Sequence, residues 1–135
     1  MKDALGRLEV ITDTYLSVNT PVQNACIEWL PKAETIQAEV LRRVTDNLSF
    51  INRAAAEVGV FIYPVDGGWY AVLRADLGAP EDEWAVRLLN EQGVYVHPGF
   101  YFDFDSEGHI VLSLLPQPEV FQQGVVRLLT FLSSK

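Results

Sequence analysis

Apolar positions recur along this chain with two different periods, and the change of period divides it. Leu5, Leu8, Ile11 and Tyr15 lie three or four residues apart, which predicts an amphipathic helix over Asp3 to Leu16. Ser17 to Thr20 interrupts it. Thr20 and Pro21 then restart a helix to Leu30, with the threonine hydroxyl as cap and the proline in the first turn, where its missing N–H costs nothing. Pro31 closes that helix and opens a much longer one. Ile36, Val40, Val44, Leu48, Ile51, Ala55 and Val58 form its single apolar stripe, and Gly59 stops it.

From residue 60 the pattern shortens. Val60 to Tyr63 is a brief apolar run, Asp66-Gly67-Gly68 a turn, and Trp69 to Arg74 the best strand in the chain. Glu81, Asp82 and Glu83 place negative charge in the first turn of a helix, where its dipole favours anions; Trp84, Leu88 and Leu89 supply the buried face and Gly93 the stop. Val94 to Val96 reads as a strand, His97-Pro98-Gly99 as its break, and Phe100 to Phe104 as an aromatic loop. Ile110 to Leu115 is a continuous apolar run, expected of a strand covered on both faces, and Pro118 opens a last helix lined by Phe121, Val125, Leu128, Leu129 and Leu132.

These elements predict one α/β domain over 1–135: a helical segment over 1–58, then a sheet and two helices over 59–135. A strand-helix-strand crossover is most simply parallel and a hairpin antiparallel, so a small mixed sheet of three or four strands is expected, with helices on one face.

Composition narrows the function. Of 135 residues, 49% are apolar and 21% charged, and the net charge is −8, which argues against a nucleic acid or an anionic membrane as partner. No apolar run suits a signal peptide or a membrane span, so a soluble, unexported protein is expected. The single cysteine, Cys26, lies among Ala25, Ile27 and Leu30 and is expected to be a buried apolar residue in a reducing cytoplasm.

Candidate chemistry is sparse. Asp103, Asp105, Glu107 and Gly108 imitate the start of a calcium loop, but its twelfth position, which needs a bidentate glutamate, is Leu114. His97 and His109 have no Cys or carboxylate at a spacing that would complete a zinc set. No metal site is expected. A nucleophile elbow and a phosphate-cradling glycine loop are both missing. The aromatics of Pro98-Gly99-Phe100-Tyr101-Phe102 either close a core or line a ligand site, and the residues alone leave both readings open.

Five segments carry a resemblance: DTYLSVNTPVQNA, DGGWYAVLR, RLLNEQGV after the acidic helix start, VYVHPGFYFDF, and GHIVLSLLPQPEVFQQGVVRL. In order and spacing they resemble the carboxyl-terminal small domain of class I/II, fold type I pyridoxal-phosphate-dependent aminotransferases, from about Leu8 to Leu132. The resemblance implies a fragment of an enzyme that moves an amino group between an amino acid and a 2-oxo acid, its small domain closing over the substrate. It also implies that pyridoxal phosphate belongs to the complete enzyme, because the Schiff-base lysine and the cofactor's grip lie in a large domain. None of Lys2, Lys32 and Lys135 stands in a lysine-bearing motif of the family, so no cofactor and no catalytic residue are expected in this chain alone.

Such domains usually contribute an arginine that grips the substrate carboxylate; here Val111 stands at the matching place, with Arg74 a possible substitute. Pro98, Gly99, Phe100 and Tyr101 match a segment at the mouth of the active site, which implies that they line it. Ser17 to Gln23 matches the connection from large to small domain near the dimer interface. The expected partner is therefore a missing large domain or a second copy of the chain. A non-catalytic binding or interaction module that kept the fold and lost the chemistry is the rival expectation.

Overall fold

The computed structural model describes residues 2–15 and 18–134. The chain divides into two compact units, Met1–Ala38 and Glu39–Lys135. The sequence reads as one domain with a helical segment to residue 58, whereas this boundary falls inside the long helix.

The first unit holds α1 (Lys2–Tyr15), α2 (Thr20–Trp29), a short 3₁₀ turn over Leu30–Lys32, and the start of α3 (Ala33–Glu57). The cap of α2 is Asn19, not Thr20: its side-chain oxygen accepts the Val22 N–H at 3.0 Å, and Thr20 is already helical. Asn19 wins because its extended backbone (φ −67°, ψ 153°) aims the side chain back at the first turn. Among the described residues this unit has no buried side chain. Leu5, Leu8, Ile11, Ile27, Trp29 and Leu30 are all more than half exposed, and Cys26 is half-buried rather than buried. The break expected from Ser17 lies partly outside the described residues.

The second unit carries a four-stranded sheet in the order β1-β2-β4-β3, with β1 Phe61–Ile62, β2 Tyr70–Arg74, β3 His97–Pro98 and β4 His109–Ser113. Strand number and class agree with the sequence, but the sheet is not mixed, because every neighbouring pair is antiparallel. The crossover expectation fails for a specific reason. β2 and β3 do run in the same direction, yet β4 enters between them, so the connection through α4 (Glu81–Gln92) skips one strand position. β3 also forms later than expected. His97 and Pro98, read as a break, are the residues that pair with Val111 and Ile110.

Register defines two faces. Ala71 and Leu73 of β2 pair with Leu112 and Ile110 of β4, and all four are buried. They join Val44, Ile51 and Ala55 of α3, Trp84 and Leu88 of α4, and Phe121, Val125, Leu128, Leu129 and Phe131 of α5 (Pro118–Ser133) in one core. The stripe on α3 is narrower than its spacing suggests, since Ile36 and Val58 are exposed, and Leu89 of α4 is 44% exposed where burial was expected. Asn47 of α3 is buried instead, and its amide donates to the carbonyls of Leu114 and Pro116, each at 2.9 Å. It anchors the exit of β4. Gly93 ends α4 as expected, in the left-handed conformation at φ 65°.

Candidate functional site

The other sheet face carries Tyr70, Val72 and Arg74 of β2 opposite Ser113, Val111 and His109 of β4. Alternation along a strand puts these on the side away from the helical core. β4 is nonetheless buried from His109 to Leu112, and rings pack against its His109 end on this face. Phe104 stacks on His109 with centroids 4.4 Å apart and planes at 9°, and Tyr63 lies 5.7 Å from the same imidazole. Tyr70, Phe102, His97 and Tyr95 continue as a row of ring contacts at 6.0, 6.1 and 5.0 Å.

His109 is the hub. Its Nδ1 lies 2.7 Å from the Ser106 carbonyl oxygen, which can only accept, so Nδ1 carries the proton. Nε2 is then an acceptor, 3.1 Å from the Tyr63 hydroxyl and 3.4 Å from Arg74 Nη1. Its backbone N–H donates to Glu81 Oε1 at 2.7 Å, while Glu81 Oε2 accepts the Phe100 N–H at 2.9 Å. Glu81 is 5% exposed, so both bonds are made out of water. Sequence reasoning read Glu81 only as a charge at a helix start; its partners are 19 and 28 residues away and leave no local signal.

The expected site residues separate. Pro98 in the edge strand and Gly99 after it are buried, whereas Phe100 and Tyr101, 50% and 64% exposed, belong to a 3₁₀ turn over Gly99–Phe102. Their rings meet edge-on at 4.4 Å. Val111 is 2% exposed, between Val72 and His97 in the register. Arg74 is exposed, on the same face as Val111 and one cross-strand pair along.

Two clefts open on the second unit. One of about 740 Å³ is lined by Phe61, Arg74, the loop from Ala75 to Pro80, Glu107 and Gly108. The other, about 330 Å³, lies along α5 and β3, with Tyr95, Ser113, Gly124 and Arg127 on its walls. Pro98, Gly99, Phe100 and Tyr101 line neither. Among the described residues no group of three or more His, Cys, Asp or Glu side chains is placed to hold a metal ion. Asp103 instead closes the 3₁₀ turn in the left-handed conformation, φ 56°. Among the described residues, Lys32 is exposed on a surface turn and no lysine lines either cleft.

No family model and no curated protein matches the chain by sequence. Its structure is similar to those of aminotransferases. An aminotransferase from Mycobacterium tuberculosis is 18% identical with a TM-score of 0.80, the match covering 93% of this chain and 34% of that one. An aspartate aminotransferase from Thermotoga maritima is 21% identical, TM-score 0.75, with 93% and 32% covered. A mutant aspartate aminotransferase from Thermus thermophilus is 25% identical, TM-score 0.70, with 90% and 34% covered. The chain thus has the fold of an aminotransferase small domain, and it spans about a third of the length of the aminotransferases it matches. No helix among the described residues is long and apolar enough to cross a membrane.

Proposed function

We propose that this chain is the carboxyl-terminal small domain of an aminotransferase-like protein, closing over substrate during amino-group transfer between an amino acid and a 2-oxo acid, and inactive alone. The observation that carries this is the proportion of the match: 93% of this chain against 34% of the Mycobacterium tuberculosis aminotransferase. Pyridoxal phosphate would act in the complete enzyme, where it supplies the electron sink for the transfer. Among the described residues, neither cleft holds a lysine.

In this reading Phe100 and Tyr101 line the substrate side, Pro98 and Gly99 hold them there, and Arg74 is the nearest cation to the position of Val111 on that sheet face. The partner is a large domain or, failing that, a second copy in a homodimer. The apolar side chains of α1 and α2 favour this, because helices that bury nothing of their own depend on tertiary packing supplied from elsewhere. A strictly monomeric light-scattering mass at high concentration would remove the homodimer. A cytoplasmic setting fits a chain with one cysteine.

The test is to add pyridoxal phosphate to the purified chain, follow the absorbance, reduce with borohydride and map any labelled lysine by mass. The expected result is no saturable change and only trace label spread over Lys2, Lys32 and the amino terminus. Stoichiometric labelling of one lysine would show that the chain holds the cofactor by itself and would end the domain reading. The rival reading, a non-catalytic interaction module, is favoured by the burial of Val111. Restored transamination on supplying a lysine-bearing large domain would exclude it.

A further inference from the structure

The smaller cleft lies apart from the residues assigned to substrate, since none of Arg74, Pro98, Gly99, Phe100 and Tyr101 lines it. Its floor is apolar: Val96, Leu112, Phe121, Val125 and Leu128 line it and each is at most 6% exposed. Along α5 its wall is Val120, Gly124 and Leu128, whose four-residue steps put them in one row on the helix. Gly124 is the gap in that row. A glycine inside a helix weakens it, yet no neighbour requires this one, because an added Cβ would meet nothing within 4 Å. With no side chain there, the cleft keeps a volume of about 330 Å³, near the lower end for small-molecule sites.

One charge marks the cleft. Among the described residues its lining holds Arg127 and no Asp or Glu. Arg127 Nη1 donates to the Gln92 carbonyl at 3.3 Å and lies 3.9 Å from where a Cβ on Gly93 would sit, so the guanidinium is held at the Gly93 end. No carboxylate among the described residues is within 4.0 Å of it, and its other donors are open to an anion. The hydroxyls on the walls are already engaged, Tyr95 with His97 Nδ1 at 3.3 Å and Ser113 with the Leu115 N–H at 3.2 Å. Recognition of a polar group therefore falls to Arg127. From Val120 to Arg127 the helix advances about 10 Å at roughly 1.5 Å per residue, the reach of an extended acyl chain of about eight carbons.

We infer that this cleft binds a medium-chain aliphatic monocarboxylate, its carboxylate on Arg127 and its hydrocarbon lying over Gly124 toward Val120. Charge complementarity selects that occupant: a cation with no acid beside it rejects an ammonium, and an apolar floor with no further cation rejects a second carboxylate. The site is separate from amino-group transfer and does not rest on that reading.

The test is an amide chemical-shift titration of the 135-residue chain with octanoate, butanoate and octylammonium. Octanoate should move residues 93–96 and 123–128 saturably, with a dissociation constant on the order of 1 mM. Butanoate, which buries less hydrocarbon, should bind at least about tenfold more weakly, and octylammonium should leave those residues unmoved. G124L fills the gap in the wall and should abolish octanoate binding. R127Q, at an exposed position, should reduce octanoate to the strength of octanol. No saturable shift with octanoate, equal binding of butanoate or octylammonium, or undiminished binding by the R127Q chain overturns the proposal. Movement of the same residues on concentrating the chain without ligand also overturns it, by giving the cleft to a second copy.

Discussion

Glu81 and His109 are 28 residues apart in sequence and joined at 2.7 Å, the carboxylate of one accepting the backbone N–H of the other; the second carboxylate oxygen holds Phe100 N–H at 2.9 Å. One buried side chain at the start of α4 thereby fixes both ends of the loop that presents Phe100 and Tyr101. Hydrogen bonds to a charged group contribute about 1.5–3 kcal/mol each, and orphaning buried donors costs as much again as their desolvation. E81A should therefore lower stability by about 2–4 kcal/mol in urea denaturation and speed exchange of the Phe100 and His109 amides. E81Q, with one acceptor oxygen for two donors, should fall between. A loss under about 0.5 kcal/mol for E81A would refute the staple.

Asn47 does the same work on the opposite face. Its two N–H donors satisfy the carbonyls of Leu114 and Pro116, where β4 leaves the sheet. N47A leaves those carbonyls unpaired and opens a void, so a loss of about 2–4 kcal/mol is expected. N47D should be worse at neutral pH, because it turns a carboxylate toward two carbonyl oxygens. Thermal unfolding of the two variants beside the parent decides this, and N47D as stable as N47A would show that the carbonyls are satisfied in another way.

Two glycines should respond in opposite directions. Gly99 is buried, and a Cβ there would lie 2.5 Å from His109 Cβ and 3.2 Å from Glu81 Oε2. G99A should cost about 1–3 kcal/mol, since neither neighbour can withdraw without breaking the Glu81 bonds. Gly124 lies within α5, and a Cβ there meets nothing within 4 Å. G124A should raise stability by about 0.5–1 kcal/mol through helix propensity alone. Melting temperatures moving the same way in both would contradict this geometry.

Local chemistry was legible in the sequence and long-range pairing was not. The stop at Gly93, the run of α5 from Pro118 and the stripe through Val44, Ile51 and Ala55 follow from spacing and backbone preference, which act within a few residues. Strand order does not. That β4 enters between β2 and β3 depends on which edge the chain returns to, and no residue between Val94 and Ile110 encodes it locally. His97 and Pro98 misled for the same reason: proline lacks the ladder donor, but an edge strand can accommodate it. The site divides similarly. The aromatic loop was visible as composition, whereas Glu81 and the cleft joining Phe61 to Arg74 exist only through pairing.

Val111 gives the sharpest test of that aromatic face. It is 2% exposed, between Val72 and His97 in the register, on the face where Phe102 meets His97 and Phe104 stacks on His109. An arginine there would have to bury a guanidinium against valine or displace the rings, at a cost of at least about 2 kcal/mol. V111R should therefore lower the urea midpoint and increase dye binding to exposed apolar surface. A V111R chain as stable as the parent, with Phe102 and Phe104 resonances shifted, would mean that the rings swing aside without strain. The face would then be a closed form of an open binding surface, and Val111 would no longer count against a substrate gripped at that position.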